Sequence, residues 1–149
     1  MTFLFQGDRM TECGRDRRRN FDLHHQMGSC YPFIIQATLN FKYPSLNLTF
    51  QNHALGGATA LITLSHETLL LRNVRPDVVS ILLGAEEVRA GVNEKDFNVK
   101  AAMEPLGSLL QRVKETNATI VLIESFSLQG LATSKVMAQV QRRQVELAA

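Results

Sequence analysis

Apolar and polar positions along the chain alternate in four strand-then-helix units. Residues 3–6 (Phe-Leu-Phe-Gln) form a short apolar run that stops at Gly7-Asp8, which predicts a strand and a turn. Residues 8–29 are polar with little period and predict a long loop. Tyr31-Pro32 opens a helix, because an early proline lacks only an N–H that has no partner there. Phe33, Ile34, Ala37 and Phe41 recur at helical spacing and predict its buried face. Residues 46–51 alternate as Leu46, Leu48 and Phe50, which predicts a strand, and Gly56-Gly57 a turn. Residues 58–72 predict a Leu-rich helix that ends before Pro76.

Residues 77–83 are almost continuously apolar, as expected of a strand covered on both faces in a parallel sheet. Residues 84–95 read as a loop. Residues 96–116 have a helical period, and Pro105 inside it predicts a kink or a break. Residues 119–123 predict a further buried strand, and Thr133-Ser134 cap a last helix with Val136, Val140 and Leu147 on one face. This order implies one α/β domain over residues 1–149, a three-layer α/β/α sandwich with right-handed crossovers. Ligands in such folds sit at the carboxyl ends of the strands, which points to loops 7–29, 52–58, 84–95 and 124–132.

Composition narrows the classes. With 45% hydrophobic and 20% charged residues the chain is globular, not disordered. A formal net charge of +2 argues for no particular partner, and no apolar run reaches the length of a membrane span. Neither a signal-peptide pattern nor a cysteine framework is present, so cytoplasm is the expected location and the two Asn-x-Thr sequons are chance matches. Nothing calls for a cofactor.

Three loop blocks carry a resemblance. Phe5-Gln6-Gly7-Asp8-Arg9 with Gly14-Arg15-Asp16-Arg17, then Asn52-His53-Ala54-Leu55-Gly56-Gly57-Ala58, then Pro76-Asp77 through Gly84-Ala85-Glu86-Glu87 resemble, in order, the first three blocks of the SGNH (GDSL-type) hydrolases. These are esterases, lipases and carbohydrate deacetylases. The resemblance implies a mainly parallel, flavodoxin-like sheet in the order 2-1-3-4-5, and ester hydrolysis by a serine. It places that serine at Arg9, after Asp8, and an oxyanion-hole glycine at Gly57. The side-chain oxyanion donor falls at Glu86, and Glu87 and Ala58 are neighbouring candidates for binding. The family's C-terminal Asp-x-x-His has no counterpart, since the last histidine is His66.

Guanidinium is no nucleophile, and a carboxylate repels a developing oxyanion. The expected protein is therefore a catalytically inactive relative that recognises a small ester or acylated sugar. The alternatives are an ester hydrolase or deacetylase working through a substitute group, and an engineered or fragment sequence with no enzymatic role. Asp22-Leu23-His24-His25, with Ser29 or Cys30 as the attacking group, is the candidate substitute couple.

Smaller expectations accompany these. Arg9 and Glu86 are expected to form an ion pair that plugs the old site. Cys13, His24, His25 and Cys30 match no common zinc spacing, so no metal is expected. Arg15, Arg17, Arg18 and Arg19 are diluted by acids and lack interleaved aromatics, which fits a stapled loop better than a nucleic-acid surface. The chain looks cut before a fifth strand. Residues 119–123 would then be an uncharged sheet edge through which two copies pair.

Overall fold

The computed structural model describes residues 1–16, 26–126 and 135–149. The described elements are β1 (Thr2–Gly7), α1 (Arg9–Glu12), α2 (Tyr31–Lys42), β2 (Thr49–Asn52), α3 (Ala60–Val74), β3 (Val78–Leu82), α4 (Ala85–Gly91), α5 (Val99–Lys114), β4 (Thr119–Leu122) and α6 (Lys135–Ala148). Four parallel strands lie in the order β2-β1-β3-β4. The expected parallel α/β sandwich and its strand order are therefore present.

Side-chain alternation along β1 divides the core in two. Leu4 joins Val79, Ile81 and Leu83 under α3, α5 and α6, in a large cluster with Met103, Leu106, Leu109 and Val140. Phe5 faces the other way, into a smaller cluster with Met27 and Phe50, against which Phe3, Tyr31, Phe33, Ile35 and Leu39 pack. Phe3 stacks on Phe50 at 4.9 Å, a cross-strand pair that fixes the β1–β2 register.

Several elements differ from the sequence reading. Residues 9–12 form a helical turn and residues 85–91 a helix, both expected to be loop. The α2 face named above is partly buried only at Phe33, which packs on the smaller cluster: Ile34 is 61% and Phe41 88% exposed, while Pro32 and Gln36 are buried. That helix has apolar residues on both sides, so periodicity could not choose between them. Leu46 lies in a 3-10 turn (Pro44–Leu46), and Asn47, at φ 46°, ends it before β2. Pro105 neither breaks nor ends α5. An interior proline costs about 3 kcal/mol. Met103, Leu106, Leu109, Leu110 and Val113, all buried on one side, outweigh that cost. β4 is half exposed, with Val121 46% accessible, because it is, with β2, one of the two sheet edges among the described residues. The cap residues Thr133 and Ser134 lie outside the described residues.

Candidate functional site

The site forms where β1 and β3 end. Asp8 leaves β1 in extended geometry and caps α1, its carboxylate accepting from Met10 N–H at 2.9 Å. Gly7 is needed at the strand end, since a Cβ there would lie 2.7 Å from the Leu82 carbonyl oxygen. Arg9 follows as the first helical residue and is exposed. The strand–turn–helix that would present a nucleophile is thus intact, and it presents a guanidinium.

The second block is tied to the first. Leu55 and Ala58 close a turn at 2.9 Å, with Gly57 at φ 84° in its left-handed position. Gly56 N–H donates to Glu12 Oε2 at 3.0 Å, and the Arg15 guanidinium donates to the Ala54 carbonyl at 2.8 Å. Asn52, buried, donates from Nδ2 to the Thr11 and Met27 carbonyls and accepts from Ala54 N–H. Arg15 thus ties the first block to the second through a backbone carbonyl, a different bond from the salt bridge expected of it, while Arg17, Arg18 and Arg19 lie outside the described residues.

The third block turns at Gly84, φ 127°, into α4. Glu86 does not pair with Arg9. Its Oε2 lies 2.6 Å from Nη2 of Arg89, and no described carboxylate lies within ion-pair distance of Arg9. The correction has a simple cause: once residues 85–91 are helical, positions 86 and 89 are neighbours on one face. Glu87 is turned inward, and Oε1 accepts from Ala60 N–H at 2.7 Å, tying α4 to the start of α3. Ala58 is buried and lines a small cavity of about 150 Å³ with Gln6, His53 and His66.

The carboxyls here feel burial and each other. Burial pushes the Asp8 carboxyl above its ordinary range, and nearby Glu86 adds to this, although the Met10 N–H opposes it. Burial also raises Glu87, against the hydrogen bond from Ala60, with smaller contributions from Asp8 and Glu86. Asp8 Oδ2 and Glu87 Oε2 have no hydrogen-bond partner among the described residues. Uncharged carboxyls suit such positions better than carboxylates.

The substitute groups fare differently. Cys13 and Cys30 pair as a disulfide with Cα atoms 5.7 Å apart, so Cys30 is no free thiol. Ser29 donates from its hydroxyl to the Cys13 carbonyl at 3.1 Å. Asp22, His24 and His25 lie outside the described residues. No group of three metal-ligating side chains occurs among the described residues, and none of the described helices is long and apolar enough to cross a membrane.

Sequence reasoning missed the residues that hold the site rather than form it. Ser125 donates its hydroxyl to the Leu83 carbonyl, and its own N–H donates to Gln144 Oε1 at 2.9 Å. Gln144 Nε2 donates to the Leu83 carbonyl at 2.8 Å. A glutamine on an otherwise apolar helix face, buried against a strand end, was the available signal.

Parallel strands ending in an Asp-capped helical turn, a Gly-Gly turn and a glycine-initiated helix define a hydrolase-type α/β sandwich. The chain superimposes on a GDSL-like lipase-type protein from Parabacteroides merdae with a TM-score of 0.87 and 26% identity, over 99% of this chain and 72% of that one. A catalytic mutant of an acetylxylan esterase from Geobacillus stearothermophilus superimposes with a TM-score of 0.83 at 25% identity, covering 99% and 71%. In sequence, an acetylxylan esterase from the same organism is 28% identical over 134 residues, 85% of this chain. The chain spans 60% of the length of that curated relative. No family model matches it. The chain is a relative of the SGNH (GDSL-type) hydrolases, whose reaction in these homologues is ester hydrolysis.

Proposed function

We propose that this chain is a non-catalytic relative of the ester hydrolases that retains the frame of the active site and binds rather than cleaves. The observation that carries this is Arg9: an exposed guanidinium heads the helix where the resemblance places the serine. Glu86, at the oxyanion-donor position, is a carboxylate held by Arg89. Losing one oxyanion donor typically costs about 10²–10³ in rate, before any repulsion is counted. The ligand class this reading favours is a small ester or acylated sugar, because the relatives include acetylxylan esterases. Self-association through β4 belongs to the same reading. Val121 is exposed on an uncharged edge whose Ile120 and Leu122 N–H groups point away from β3.

The test is p-nitrophenyl acetate hydrolysis by the chain, by Arg9→Ser and by a buffer blank. Neither protein is expected to exceed the blank. Activity in the unmodified chain overturns the proposal, and its loss in His25→Ala would assign it to the Asp22–His25 couple.

A further inference from the structure

A second polar concavity lies at the other end of the sheet, away from the strand ends that carry Asp8, Gly57 and Glu86. It is a groove of about 880 Å³ between the carboxyl-terminal turns of α3 and α5, and it holds Arg72, Arg75 and Arg112 with Asp77 and Glu115. We propose that this groove is an anion site for a doubly charged phosphate group, free or as a monoester.

Three observations carry the proposal. First, the guanidiniums are uncommitted to carboxylates. No described carboxylate lies within 4.0 Å of Arg72, Arg75 or Arg112, although two acids share the groove. Second, Asp77 is occupied elsewhere. Its Oδ2 accepts from Thr2 N–H at 2.6 Å and lies 3.9 Å from the N-terminal amine. Third, Arg112 is already oriented. Its Nη1 donates to the Leu64 carbonyl at 3.0 Å and to Thr68 Oγ1 at 2.9 Å, so its side chain is held over the groove before any ligand arrives.

A planar guanidinium matches two phosphate oxygens at once, so convergent arginines favour tetrahedral oxyanions over a single carboxylate. The carboxyl ends of α3 and α5 place partial negative charge nearby, which the guanidiniums must offset. A dianion gains most from what remains. Behind Arg112 lies Glu67, fully buried, and its carboxyl is pushed by burial up to about 7, against the pull of Arg112. At neutral pH and below, it therefore compensates Arg112 only in part.

The experiment is a titration of isotope-labelled chain with inorganic phosphate, phenyl phosphate or acetate at neutral pH, with ionic strength held constant by chloride and amide shifts followed. The expected result is saturable shifts confined to residues 68–77 and 112–116 with phosphate or phenyl phosphate, and none with acetate. Arg75→Gln combined with Arg112→Gln should weaken the apparent Kd at least about tenfold, the equivalent of one charge-assisted pair. Arg75→Lys, which keeps the charge but loses the fork, should weaken it by about threefold. Response to phenyl phosphate alone assigns the site to monoesters, and response to both includes the free ion. Shifts that do not saturate, that acetate reproduces, or that map to residues 7–12 instead overturn the proposal. So does a folded double variant with unchanged Kd. Should the variant fail to fold, the shift map of the unmodified chain still decides.

Discussion

At the carboxyl end of the sheet, acids crowd the place where a hydroxyl would be needed. At the amino end, guanidiniums stand over an open groove. Helix α3 reaches both ends, yet the two treat charge in opposite ways. Asp8 and Glu87 are buried and tied to backbone N–H groups of neighbouring elements, and Glu86 is held by its own helix. Arg72 and Arg75 form no ion pair with any described residue. The difference teaches that the number of charges at a site says little. A charge consumed in holding the fold is unavailable to a ligand, and a charge left in solvent costs almost nothing to keep.

The sharpest way to break this contrast is to disturb the frame of the carboxyl end. Gly84→Ala puts a Cβ within 2.9 Å of Val140 Cγ1 and onto the Ser125 hydroxyl, at a φ of 127° that side chains avoid. A loss of about 4 kcal/mol in denaturant unfolding is expected. A change under about 1 kcal/mol would mean that the block turns flexibly.

Next comes the disulfide between Cys13 and Cys30. Cys13→Ser with Cys30→Ser should lose about 3 kcal/mol, for a crosslink spanning 17 positions, as read by urea unfolding without reductant. Equal stability of the variant and the oxidised parent would show that the crosslink adds nothing to the stability of the fold.

Glu67 links the two ends, since it accepts from Gln6 Nε2 at 2.9 Å on one side and feels Arg112 on the other. Its folded pKa, about 7, lies above the ordinary 4.5, so the native state binds the extra proton. Stability from this group is complete below about pH 4.5 and is lost as pH rises to about 7, with about 3 kcal/mol at stake. Asp8 and Glu87, both raised, act with the same sign. Glu67→Gln keeps an acceptor for Gln6 and should remove most of the Glu67 contribution, raising the melting temperature in mild alkali and leaving it unchanged in acid. An equal change at both pH values would sink this account. The smallest effect is expected of Arg89→Ala. Its partly exposed pair with Glu86 is worth about 0.5 kcal/mol.

Legibility in the sequence followed the source of each signal. The parallel sheet was readable because residues 77–83 and the strand–turn junctions at Gly7-Asp8 and Gly56-Gly57 have strong local signatures, whereas the strand order came only with the resemblance. Positions 9, 57 and 86 were readable from the resemblance of the blocks around them. The partner of Glu86 was not, because it depends on whether residues 85–91 coil, and that short helix begins at a glycine with no side-chain cap. The buried side of α2 was ambiguous, since Phe33, Ile34, Ile35 and Phe41 spread around the helix. The arginine groove gave no signal at all: positions 72 and 75 are far from 112 in the chain and meet it only through the packing of α3 on α5.

The edge strand β4 has a consequence for isotope exchange. Its ladder engages the Thr119 N–H with the Asp77 carbonyl and the Ile123 N–H with the Ile81 carbonyl, and the two-residue alternation puts Val121 with them. The amide protons of Ile120 and Leu122 face outward and should be replaced by deuterium far sooner than those of their neighbours. A slow–fast–slow–fast–slow comb across five consecutive residues is the kinetic signature of an open edge. Its disappearance with rising protein concentration would mark the moment at which a second strand closes over it.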